Sequence, residues 1–196
     1  GNLNAHTKQP DTQNGTMIYN IKDQTFTKGK NINDKRWYGS VVITGDEKLV
    51  LMGGADISKK NHYSLTPEIL DLKNLDQGWR LLLKAKSEEL FGNLDADEWS
   101  YPKAFLASDG NIVGISYNKL WVMDKNDDFR ISKTGELPII KNNVSRKIMH
   151  EHKNGDRQMI SVVTMGSPVG STSSAIMIEK DKVLMFGGQQ YDKEHD

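Results

Sequence analysis

The sequence predicts an all-β protein made of short antiparallel strands, and three observations carry that expectation. Apolar residues alternate or stand in short blocks between turn residues, and the longest unbroken apolar runs are four residues, as in Leu49-Val50-Leu51-Met52. One hairpin design occurs three times along the chain. Its second strand ends each time on glycine, at Gly53-Gly54, near Gly114 and at Gly187-Gly188.

The elements follow in order. Met17 to Ile21 and Thr25 to Thr27 read as a first strand pair. Trp37 to Thr44 is rich in β-branched and aromatic residues, Gly45-Asp46-Glu47 turns the chain, and Lys48 to Gly54 returns as a buried strand. An outer pair follows at Pro67 to Leu72 and Trp79 to Leu83. Residues 86–99 are an acidic connection with room for one helical turn. The second hairpin is Lys103 to Ala107, the turn Ser108-Asp109-Gly110, and Asn111 to Ile115, with Lys119 to Asp124 and Phe129 to Ile131 as its outer pair. No element is predicted for 141–170. The third hairpin joins Ser174 to Ile178 with Lys182 to Gly188 through Glu179-Lys180-Asp181.

Four strands per unit, glycine closing the second and an aromatic in the outer two, make the pattern of a kelch-type β-propeller blade. The expected role of the glycines is to let the backbones of adjacent blades approach at the axis. The whole chain, 1–196, then reads as part of one propeller domain. It holds an outer half-blade at 1–31, blades at 36–87 and 100–140, and an irregular segment with an inner half-blade at 141–196. That is about three blades of a seven-bladed ring. An open arc leaves apolar faces uncovered, so the remaining blades are expected in a longer parent chain.

Composition narrows the function. The 196 residues balance 26 Lys+Arg against 26 Asp+Glu and include no cysteine. No basic field favours nucleic acid, no apolar run is long enough for a membrane-spanning helix, and neither disulfide nor thiolate chemistry is available within the chain. Trp37, Trp79, Trp99 and Trp121 read as core aromatics, and Arg36 as pairing with a carboxylate between blades. His150-Glu151-His152 has the alternate spacing of a two-ligand metal pair, but its lysine-rich surroundings favour an exposed loop. Asp95, Asp97 and Glu98 read as a solvated connection. Gly166-Ser167-Pro168-Val169-Gly170 lacks the strand-turn-helix setting of a hydrolase nucleophile. Tyr38 is open to two readings, a packed strand tyrosine or a site residue.

Arg36-Trp37-Tyr38 before a turn and a Gly-Gly strand resembles the copper radical oxidases, the family of glyoxal oxidase and galactose oxidase. Tyr101-Pro102-Lys103-Ala104-Phe105-Leu106 running to Asp109-Gly110-Asn111 is similar to that family's aromatic-Pro-Arg-Ala-Phe strand and turn. Leu120 to Asp124, Glu136-Leu137-Pro138, and Gly170 to Ala175 followed by Gly187-Gly188 extend the likeness from about residue 15 to 190. The resemblance implies that Tyr38 is at once a copper ligand, the cofactor-binding residue and the catalytic radical, joined in the family to a cysteine sulfur of the preceding blade. It implies oxidation of a primary alcohol, aldehyde or carbohydrate by dioxygen, giving hydrogen peroxide, in an extracellular or periplasmic parent protein that binds copper as a whole. This chain has neither that cysteine nor the family's adjacent Tyr-His pair and last histidine, so alone it is expected to be inactive. His62-Tyr63 has the reverse order and is not assigned. Ala55-Asp56-Ile57 stands where the family places an aromatic or histidine over the linked tyrosine. The alternative is a non-catalytic kelch module that binds protein or glycan, with Tyr38 idle.

Overall fold

The computed structural model describes residues 2–3, 10–11, 13–92, 100–137, 140–151, 157–166 and 173–187. The architecture is all-β apart from one helical turn and short 3-10 turns. Strands β1 (Asn2–Leu3) and β2 (Pro10–Asp11) form a short pair, and β3 (Met17–Asn20) and β4 (Thr25–Lys28) a hairpin with Tyr19 and Phe26 in ring contact at 4.7 Å. The first full blade is an antiparallel meander of β5 (Ser40–Ile43), β6 (Lys48–Met52), β7 (Glu68–Asp71) and β8 (Arg80–Leu81). The second is β9 (Lys103–Leu106), β10 (Ile112–Ser116), β11 (Lys119–Asp124) and β12 (Arg130–Glu136), again in sheet order. The first strands of the two blades, β5 and β9, are neighbours. Meanders that bring their first strands side by side form the radial array of a partial β-propeller.

Burial explains the spacing. Val42, Val50, Met52 and Ile69 point from the first blade into one apolar cluster with Ile112, Trp121, Met123 and Phe129 of the second. The core therefore lies between blades. The segment joining them seals it. Ser87 caps α1 (Glu88–Phe91), its Oγ accepting the Leu90 N–H at 3.2 Å, and the turn buries Leu90 and Phe91. This is the helical turn expected in the 86–99 connection; residues 93–99, with Trp99, Asp95, Asp97 and Glu98, lie outside the described residues. Phe91 meets Trp121 edge-on at 5.9 Å, and the Trp121 indole N–H donates to Ser116 Oγ at 2.9 Å. A Cβ at Gly114 would run into the Trp121 ring, so this glycine makes room for an aromatic of its own blade.

The structure corrects three expectations. Segment 141–170, predicted to be irregular, contains a long hairpin of β13 (Ile140–Glu151) and β14 (Arg157–Gly166), with Ile148 opposite Ile160 and a register shift between Lys141 and Ser145. Lys141, Asn142, Asn143, Arg146 and Lys147 dilute the apolar alternation there, while Asn154-Gly155 between the strands is a hairpin signal in its own right. Next, β5 begins at Ser40 rather than Trp37, because Tyr38 adopts a left-handed φ of 65° and Trp37 pairs with Ala55 instead. Finally, among the described residues the close approach that Gly54 permits is within its own blade, not between blades. Gly54, at φ 86°, would set a Cβ 2.9 Å from the Trp37 carbonyl and 3.0 Å from Arg36 Cβ, both in its own blade.

The last hairpin, β15 (Ser174–Glu179) with β16 (Lys182–Phe186), leans on the second blade through Asp181, whose carboxylate accepts Ser108 N–H at 2.7 Å and Ser108 Oγ–H at 2.5 Å. No helix among the described residues is long and apolar enough to cross a membrane. Gly54→Ala is expected to cost about 2–3 kcal/mol through the left-handed backbone and the crowding. Gly45→Ala, which meets open space, should stay within about 0.5 kcal/mol. Urea melts of the two variants check this.

Candidate functional site

The candidate site lies where β5 and β9 begin. Arg36 anchors it. Its side chain has 2% exposure and its guanidinium uses every N–H: Nε and Nη2 donate to Glu68 Oε1 at 3.1 and 2.9 Å, Nη1 to the carbonyls of Gly53 (2.7 Å) and Ser64 (3.3 Å), and Nη2 also to that of Thr66 (2.6 Å). Burial pulls the Arg36 guanidinium below its ordinary value, and Glu68 works against that shift. Glu68, wholly buried, also accepts the Asn33 N–H and side-chain amide at 2.6 and 2.8 Å and the Asp34 N–H at 3.3 Å. The carboxylate predicted to meet Arg36 between blades is thus in the same blade, on β7.

Past Arg36 the chain is clamped again. Trp37 exchanges both backbone hydrogen bonds with Ala55, at 2.8 and 3.0 Å. Tyr38 follows in the left-handed region, uncommon for a bulky side chain and a form of strain that the surrounding bonds must hold. Its ring stacks on Trp37 at 3.9 Å and on Tyr101 at 4.5 Å. Tyr101 is also left-handed, at φ 45°, and donates its N–H to the Tyr38 carbonyl at 2.8 Å. The entrances of the innermost strands of two blades are therefore joined by one backbone bond and one aromatic stack. Tyr38 and Tyr101 keep 36% and 48% of their surface exposed. Burial, with the Tyr38 phenol beside it, pushes the Tyr101 phenol above its ordinary value.

The other singled-out residues fall around this mouth or away from it. Trp37 belongs to the half-buried stack and not to the core, whereas Trp121 is core as expected; Trp79 is half-buried with its indole nitrogen enclosed. His62 Nε2 lies 2.9 Å from Asp34 Oδ1, and Tyr63 bridges to Ala55. Asp56 turns into its own loop, accepting the Ser58 N–H at 3.1 Å and hydroxyl at 2.5 Å. Burial pushes its carboxyl up, but those bonds with Lys35 and Lys59 nearby outweigh it and hold Asp56 below its ordinary value. His150 and Glu151 end strand β13; His152 and Ser167 lie outside the described residues. Among the described residues no group of three or more His, Cys, Asp or Glu side chains could hold a metal ion.

Sequence reading missed Glu68 and Tyr101 as site residues. The signal for Glu68 was an acidic residue inside the apolar strand Pro67-Glu68-Ile69-Leu70, a type that is fully buried only when paired. Tyr101 opens a recognisable aromatic-Pro motif, but nothing local pointed to its contact with Tyr38, 63 positions away.

No family model matches the sequence, and no curated protein matches it. Among solved structures the chain is similar to a novel fungal alcohol oxidase of the AA5 family in complex with copper. The likeness has a TM-score of 0.41 and 17% identity, over 53% of this chain and 21% of that one. The chain thus spans about a fifth of that structure's length. The propeller-like arrangement stands on the strand order and register above, not on this likeness.

Arg36→Ala leaves Glu68 buried and unpaired and is expected to cost about 3–5 kcal/mol. Arg36→Lys, which cannot reproduce the fork of donors, should recover only part of that on chemical denaturation. Spectrophotometric titration should place the Tyr101 phenol, identified by difference from Tyr101→Phe, above pH 10, and Tyr38→Phe should bring it partway back.

Proposed function

We propose that this chain is the arc of an oxidase propeller that presents Tyr38 as its redox-active, copper-binding phenol, for oxidation of a primary alcohol or aldehyde with dioxygen as acceptor. The observation that supports this reading is the setting of Tyr38: a partly exposed phenol at the entrance of an innermost strand, stacked with two aromatic rings and held at a strained backbone angle. Its match to the tyrosine of the Arg-Trp-Tyr motif adds the chemistry.

The described residues do not complete a copper site. Tyr38 is an acceptable oxygen ligand, but its ring neighbours are Trp37 and Tyr101, and His62 beside the mouth is engaged with Asp34. Further ligands would have to come from outside the described residues. When bound, copper beside an oxidisable phenol supplies a second one-electron couple, which a two-electron oxidation needs. The residues of this chain hold the phenol. Arg36 and Glu68 fix the backbone before it, Ala55 pairs with Trp37, and the two neighbouring rings stack on its own.

A second reading, a glycan-binding propeller module, draws on the exposed aromatic surface of Tyr38 and Tyr101, which suits the apolar face of a sugar. Tyr38→Phe separates the two because it removes the hydroxyl and keeps the ring. In the full-length protein after aerobic copper loading, peroxide formation from alcohol or aldehyde should fall to background in that variant. Undiminished peroxide would exclude Tyr38 as the redox residue. Absence of peroxide from the wild type, with glycan binding retained in Tyr38→Phe, would select the module.

A further inference from the structure

We infer that Glu68 is a positioning residue for Tyr38, acting through Arg36 and the segment that enters β5. The inference builds on the reading of Tyr38 as the functional phenol, but its test reads the geometry directly. A buried ion pair is weak grounds for stability, since a well-packed apolar pair of similar volume is often as good or better. What Glu68 supplies is direction. Its two oxygens accept from Asn33, Asp34 and Arg36, which are three of the six residues leading to Tyr38, and Asn33 contributes two donors. Through Arg36 the same carboxylate reaches the carbonyls of Gly53, Ser64 and Thr66. The chain before Tyr38 and the chain after the glycine pair are thereby held at one point on β7.

That point governs the phenol because little else can absorb a shift. Gly54 lies so close to Trp37 and Arg36 that a Cβ would clash, and the Trp37–Ala55 pair fixes the next residue. Tyr38 takes up the remaining rotation in its left-handed φ. An apolar side chain at 68 would fill the volume and leave the Asn33 and Asp34 N–H groups without their acceptor. A neutral amide at 68 would keep the shape and lose the charge-assisted character of its bonds to Arg36.

Two variants test this: Glu68→Gln, and the apolar double replacement Arg36→Met with Glu68→Leu. Each is compared with wild type for its melt, amide hydrogen exchange at Asn33 and Asp34, the Tyr38 backbone coupling constant, and the near-ultraviolet circular dichroism of the stacked rings. The double variant should still fold, with its melt lowered by the backbone groups left without partners, exchange those two amides at least tenfold faster, and lose the left-handed coupling and most of the ring-stack dichroism. Glu68→Gln should show the same changes at smaller amplitude. Where the full-length protein makes peroxide, kcat should fall about tenfold or more with KM nearly unchanged. Unaltered coupling and dichroism in a folded double variant would overturn the inference. If the double variant fails to fold, Glu68→Gln decides, and an unmoved Tyr38 signature there overturns it equally. A wild type that makes no peroxide while its variants move the Tyr38 signature would sink the oxidase reading and leave the positioning role in place.

Discussion

A guanidinium and a carboxylate taken out of water together constrain the first blade more than any other contact. Once Arg36 and Glu68 are buried, each must satisfy every polar atom it has, and the nearby partners are backbone groups of the segments at the strand mouth. Those segments are therefore held in one arrangement: the approach to β5, the turn after β6 and the approach to β7. The glycine pair, the Trp37–Ala55 pairing and the left-handed Tyr38 are consistent with that arrangement and with one another. A purely apolar plug would fill the same space and leave the loops free to choose among several paths.

The aromatic stack carries the constraint into the neighbouring blade. Tyr101, two residues before β9, lies in the same unusual backbone region as Tyr38 and donates to its carbonyl, so the order imposed by Arg36 reaches the entrance of a second strand without a second ion pair. At the other end of the strands the blades are tied differently. Arg80 grips Asp128 in a two-pronged contact of 2.8 and 3.2 Å, and Lys84 meets Asp127. These pairs are solvent-exposed, hence individually weak and sensitive to salt. One mouth is held by buried, saturated bonds and the other by screened surface charges.

Legibility in the sequence followed the range of the interaction. The hairpins at Ser40–Met52 and Lys103–Ser116 were readable because alternation and turn residues are local. Tyr38 stood out because Arg36, Trp37 and a glycine pair surround it within one hairpin. The partner of Arg36 was anticipated in kind but not in place, since only the register of β7 brings Glu68 across 32 positions. Tyr101 depends on two blades meeting, which no local pattern encodes. The β13–β14 hairpin was missed for another reason: lysine and asparagine mask its alternation, and the Asn154-Gly155 signal went unread. The copper reading owes its content to resemblance, and Tyr38 is the one described residue that this resemblance names.

Because the apolar cluster lies between sheets, neither four-stranded sheet owns a core. Val42, Val50 and Met52 are dry only while Trp121, Met123 and Phe129 face them, and Leu90 and Phe91 close the seam between. The smallest cooperative unit is accordingly a junction of two blades with its connector, and stability accumulates junction by junction along the arc, as in a one-dimensional array. Natural variation in such a molecule is filtered in pairs. A change of volume on one sheet is tolerated when the facing sheet compensates, so the two sides of each seam are bound to drift together while their solvent-facing strands drift apart.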